Sequence, residues 1–108
     1  MEHHFVYIWE FEVPAAMDAE FQRHYGPGGS WAALFRRDPA YIETILLADA
    51  STPGHYLTID RWQSERAYRS FRERFAQQYE ALDKVCERLT RRESSLGSFF
   101  EVVSNPAA

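Results

Sequence analysis

The sequence holds a single cysteine, Cys86, so it can close no intrachain disulfide and build no cysteine zinc site. It has no asparagine before Asn105. No stretch approaches the roughly 18 consecutive apolar residues of a membrane span. The opening MEHHFVYIWEFEV alternates and carries acids, which is the pattern of neither a signal peptide nor a transit peptide. Basic residues are outnumbered, 12 Lys and Arg against 16 Asp and Glu, and the net charge of −4 argues against a nucleic-acid partner, which demands a basic surface. His3, His4, His24 and His55 lack a short paired spacing on one element, and the side chains of the adjacent pair point to opposite faces, so no metal site is expected. A soluble, cytoplasmic protein without membrane contact is the expectation.

Against these absences stand 45% hydrophobic and 16% aromatic residues in 108, enough for one compact core and too apolar for a disordered chain. Residues 1–104 read as one domain and residues 105–108, NPAA, as a frayed tail. In residues 3–13 alternation places Phe5, Tyr7, Trp9, Phe11 and Val13 on one strand face and His4, Val6, Ile8, Glu10 and Glu12 on the other. Pro14 suits a helix start, with Met17, Phe21 and Tyr25 as inner row and Gly26 as a left-handed stop. Ser30 can cap a second short helix, WAALFRR, which Pro39 closes. Residues 40–49 and 55–63 read as strands joined by the turn-prone STPG into a hairpin. Ser64 caps the longest helix, where Tyr68, Phe71, Phe75, Tyr79, Leu82, Val85 or Cys86, and Leu89 recur at helical spacing. LGSFFEVVS, residues 96–104, is the last strand.

Strand, helix, strand, strand, helix, strand is the ferredoxin-like α+β order: a four-stranded antiparallel sheet with helices on one face. A faint repeat at an offset of fifty residues sets Glu10 against Asp60 and Phe21 against Phe71. The sheet face without helices is too apolar for a soluble monomer, so a homodimer is expected, with two sheets closing an α+β barrel.

HYGPGGSWAALFRR, residues 24–37, packs three glycines and a proline ahead of a tryptophan. It satisfies neither phosphate-loop pattern, since Trp31 stands where a third Rossmann glycine falls and no lysine follows. A helix stop and restart is one reading. A pocket rim is the other, because Tyr25, Trp31 and Phe35 bring three large aromatics to a segment rich in glycine.

YGPGGSW followed by LF, the strand YIETILLAD, then YLTIDRWQS and an AYxxF helix start resembles the antibiotic biosynthesis monooxygenase family of dimeric α+β barrel proteins, over about residues 5–103. The resemblance implies a pocket between sheet and helices. It also implies oxidation of a small phenolic, anthrone or quinol type molecule with no metal or flavin as cofactor. Haem-degrading members use an asparagine in the first strand, a tryptophan in the third and an axial histidine on the long helix, of which only Trp62 has a match here. The anthrone-oxidising members' asparagine is also missing, so a non-catalytic small-ligand-binding or structural dimer is the alternative.

Cofactor-free oxygenation requires a base, a donor for the developing anion and a dry aromatic pocket. His24, His4 and Asp60 are candidate bases, and Arg61 a candidate for holding an anion. Their structural roles would be a solvated or capping His24 and an Asp60 that makes a salt bridge or a cap, within the chain or across the dimer. Tyr25, Trp31, Phe35, Tyr56 and Trp62 are the candidate substrate contacts. Alternation separates Tyr56, Thr58, Asp60 and Trp62 from Leu57, Ile59 and Arg61, but leaves open which set meets the helices. Arg66, Arg69 and Arg72, with Glu65 and Glu73, read as a solvated helix face laced by i,i+4 pairs. Cys86 reads as a small apolar core residue.

Overall fold

The computed structural model describes residues 3–102. Four strands, β1 (Phe5–Glu12), β2 (Tyr41–Ala48), β3 (His55–Trp62) and β4 (Arg92–Phe100), form one antiparallel sheet in the order β2-β3-β1-β4. The helices α1 (Asp18–Tyr25), α2 (Ser30–Phe35), α3 (Glu65–Arg74) and α4 (Ala76–Cys86) supply the other layer. This is the ferredoxin-like architecture that the order of elements implies, and β2 and β3 form the expected hairpin.

Register fixes the sheet face that the sequence leaves open. Phe5, Tyr7, Trp9 and Phe11 stand opposite Trp62, Asp60, Thr58 and Tyr56, and this set faces the helices. Val6, Ile8, Glu10 and Glu12 stand opposite Arg61, Ile59, Leu57 and His55 on the outer face. Glu10 and Asp60 therefore lie on opposite faces, and only Phe21 and Phe71 of the fifty-residue repeat take equivalent places, both fully buried. A bulge between Ile8 and Trp9 shifts the pairing with β4, and beside it Gly97 adopts φ +120°, a conformation costly for any residue with a Cβ.

Several local expectations change. Gly26 is extended (φ −73°, ψ 171°) rather than left-handed: its N–H makes the last helical bond, to the Gln22 carbonyl, and its extended ψ turns the chain out of α1. Ser30 is the first residue of α2 instead of its cap; Gly29 holds that place. A Cβ on Gly29 would fall 2.5 Å from the His24 carbonyl oxygen, so glycine is what lets the two helices join this tightly. The HYGPGGSW stretch is thus a packed corner.

Ser64 does cap α3, its hydroxyl accepting from the Ala67 N–H at 3.1 Å. The long helix is nevertheless interrupted at Phe75 (φ −112°, ψ 25°), although no proline or glycine marks the place. At the far end of the same stripe Cys86 is buried, whereas Val85 is exposed. β4 begins at Arg92, four residues before the expected start, because RESS pairs through its backbone at a sheet edge that imposes no apolar pattern. Residues 103–108, and with them the expected tail, lie outside the described residues.

Candidate active site

Between the inner sheet face and the helices lies a cavity of about 260 Å³. Its floor is built by alternation: Tyr7, Trp9 and Phe11 from β1, Thr58 and Asp60 from β3, and Thr44 from β2. The helices close it with Tyr25 from α1 and Trp31 and Phe35 from α2, while Arg72, Tyr79, Asp83 and Glu93 complete the lining. Trp31 meets the Tyr79 ring edge-on at 4.8 Å and lies 6.1 Å from the Tyr25 ring, so the roof is a continuous aromatic surface.

Asp60 is the chemical centre of this floor. It is 6% exposed, and its Oδ1 accepts from the Thr44 hydroxyl at 2.6 Å. Thr44 Oγ1 in turn lies 2.6 Å from the Tyr41 hydroxyl, which extends the chain toward the sheet edge. No cation of this chain pairs with Asp60 among the described residues. Burial therefore dominates and raises its pKa from 3.8 to about 6, with the hydroxyls of Thr44 and Tyr7 opposing the rise. The Tyr7 hydroxyl approaches Asp60 without meeting it in a well-formed hydrogen bond and is left with no partner, as is Trp31 Nε1. Burial, then the charge of Asp60, pushes the Tyr7 pKa well up. A carboxylate poised near neutrality, beside an unpaired hydroxyl in an aromatic cavity, is equipped to accept a proton.

Of the residues singled out from sequence, the structure brings Tyr25, Trp31, Phe35 and Asp60 to this cavity. Five others lie elsewhere. Arg61 is on the outer sheet face, one residue out of phase with Asp60, and is tied to Glu43 at 2.5 Å and Glu101 at 2.7 Å. His24 sits at the α1–α2 corner with Nδ1 2.8 Å from Ser30 Oγ. Tyr56 donates to Asp18 at 2.5 Å and lines a separate hollow by the β2–β3 turn. Trp62 faces the helices but is wholly enclosed by Phe35, Tyr41, Tyr68 and Phe71. His4, at the sheet margin, lies 3.9 Å from Glu101.

Tyr7, Thr44 and Tyr79 escape sequence reading because each passes for an ordinary core or strand residue, and register alone sets the first two beside Asp60. Arg72 is exposed, as the solvated helix face implies, and in addition its guanidinium lies 3.8 Å from the Tyr79 ring centre and donates to the Tyr68 hydroxyl at 2.9 Å. Among the described residues no group of three or more His, Cys, Asp or Glu is arranged to hold a metal ion, and no helix is long and apolar enough to cross a membrane.

No family model matches the sequence, and no curated protein matches it. Solved structures do. SnoaB, a cofactor-independent oxygenase from Streptomyces nogalater, superposes with a TM-score of 0.73 at 24% identity over 96% of this chain and 98% of its own. The chain shares its fold. A candidate antibiotic biosynthesis monooxygenase from Bordetella bronchiseptica follows at TM-score 0.75 and 14% identity, over 94% of this chain and 100% of that one. Another, from Caulobacter crescentus, gives 0.73 and 15%, over 94% and 92%. The expected resemblance to antibiotic biosynthesis monooxygenases is therefore a likeness of fold.

Proposed function

We propose that the protein is a cofactor-independent monooxygenase that binds a small phenolic, anthrone or quinol type molecule in the sheet–helix cavity. The observation that carries the reading is Asp60: a buried carboxylate without a cation, at the floor of an aromatic cavity. SnoaB, with the same fold, is a cofactor-independent oxygenase and supports it.

In this mechanism Asp60 takes a proton from the bound phenolic system. The electron-rich anion transfers electrons to dioxygen, and a carbon–oxygen bond forms at the activated methylene. The peroxide takes back the proton from Asp60, the remaining methylene C–H is lost as a proton, and the O–O bond breaks with release of water. Methylene plus dioxygen thus gives carbonyl plus water, with one oxygen atom in each product. Tyr25, Trp31 and Phe35 hold the ring system and exclude water, which strengthens electrostatic interactions inside. Oxygen uptake by chelator-treated protein, supplied with anthrones and quinols under isotopically labelled dioxygen, tests this. Label in the carbonyl product, above autoxidation and reduced by Trp31→Ala, is the expected result. Stable binding without uptake would favour the ligand-binding reading, to which the missing asparagine points.

The working unit in this proposal is a homodimer. On the outer face Ile8, Ile45 and Ile59 stand side by side across three strands, flanked by Leu47, Leu57 and Phe99, with Leu47 43% and Phe99 48% exposed. An apolar sheet face of this extent is covered in solution, and a second copy covers it symmetrically. Ile59→Glu places a charge at its centre and is expected to convert the dimer to a monomer by light scattering; a monomeric wild type would contradict the assignment. A cytoplasmic location suits the buried, unpaired Cys86.

A further inference from the structure

We infer that Arg72 reads an anionic group on the substrate, so that the cavity takes aromatic acids in preference to their neutral counterparts. The inference rests on the oxygenase reading only for the chemistry that follows binding. Arg72 is the only basic residue among those lining the cavity. It makes no ion pair among the described residues, as is also true of Arg36, Arg37, Arg66, Arg91 and Arg92, none of which lines the cavity.

Two tyrosines hold it instead. Tyr68 lies one helical turn before it and accepts from Nη1. The interruption at Phe75 lets α4 present the Tyr79 ring flat against the guanidinium, at 3.8 Å. Neither ring neutralises the charge, and a guanidinium has five N–H donors, of which this arrangement engages one. Arg72 thus stands exposed at the rim, oriented by two rings, with donors that neither ring engages and no carboxylate paired to it, and a planar fork of this kind can bind a carboxylate through two hydrogen bonds.

Of the cavity's other charged residues, Glu93 marks the opposite end. Asp83 and Glu93 also line the cavity, and Glu93, whose pKa is raised by burial and then by Asp83, stands opposite Phe11 on the sheet. Arg72 belongs with Tyr68, which packs on Tyr7 at 4.7 Å. Tyr7 and Phe11 are about 13 Å apart at the usual strand rise. A ligand with a carboxylate is therefore drawn to Arg72 and repelled from Glu93, which fixes its direction.

Hydroxynaphthoate and its methyl ester distinguish the possibilities, with binding followed by tryptophan fluorescence without oxygen, so that turnover plays no part. The expected result is that wild type binds the acid roughly tenfold or more tightly than the ester, as a charge-assisted bidentate contact would give. Arg72→Gln should abolish that preference with ester affinity unchanged, and Arg72→Lys should restore part of it. Equal binding of acid and ester by wild type, or equal losses for both in Arg72→Gln, would overturn the inference. Acid preference without oxygen uptake in the labelled-dioxygen experiment would uphold the Arg72 assignment and reject the oxygenase reading. Failure of both ligands to bind would overturn the inference as well.

Discussion

Asp60→Asn is expected to remove turnover by about 10²–10⁴-fold, the usual contribution of a positioned general base, and to make the protein more stable at neutral pH. The amide keeps the shape and can still accept from Thr44, so binding of the aromatic should survive. The stability gain follows from the cost of burying the charge. Between an unfolded pKa of 3.8 and a folded pKa of about 6, the native state retains a proton that the unfolded chain has lost. Wild-type stability therefore falls as pH rises from about 4 to about 6 and is level above that, as far as this group is concerned. A shift of this size corresponds to roughly 3 kcal/mol at most. Thermal unfolding at pH 5 and pH 8 checks the claim: the variant's advantage should be larger at pH 8. Loss of activity with loss of stability would mean that Asp60 is a structural anchor.

The second large effect is expected at Trp62. Its ring is fully buried and contacts four aromatic side chains, and its Nε1 has no partner. Trp62→Ala should cost about 3–5 kcal/mol through lost contacts and the void left behind, which in a domain of this size lowers Tm on the order of 15–30 °C. Trp62→Phe should cost far less, because it retains an aromatic ring and deletes a buried N–H that no acceptor satisfies. A stable Trp62→Ala protein with impaired ligand binding would return Trp62 to the cavity lining.

Elements were legible in the sequence where one face of the chain is buried. The period-two alternation of β1 and the Ser64 cap translate directly into structure, and so do the aromatics Tyr25, Trp31 and Phe35. The edge strand β4 was legible only at its apolar end, because an edge exposed on both sides leaves polar residues free to occupy it. The interruption at Phe75 has no local marker: neither proline nor glycine stands there, and α4 beyond it packs against α2 and α3. Asp60 could be nominated as an acid inside an apolar strand, but its environment depends on register: Tyr7 is 53 residues away and Thr44 is 16. The same one-residue phase that sends Asp60 inward sends Arg61 outward, and alternation alone cannot choose between them. Arg72 is exposed on the charged helix face as its sequence pattern implies, but its contact with Tyr79 was not legible because Tyr79 lies beyond the interruption.

The most direct test of the central claim, that Asp60 is the base of a cofactor-independent oxygenation, is the pH profile of oxygen consumption by chelator-treated wild type and Asp60→Asn on one substrate. The base must be ionised to act, so kcat/KM of the wild type should rise through about pH 6 and level off above it, while the variant should show only the slow rise of substrate autoxidation. Identical profiles for the two proteins would contradict the account.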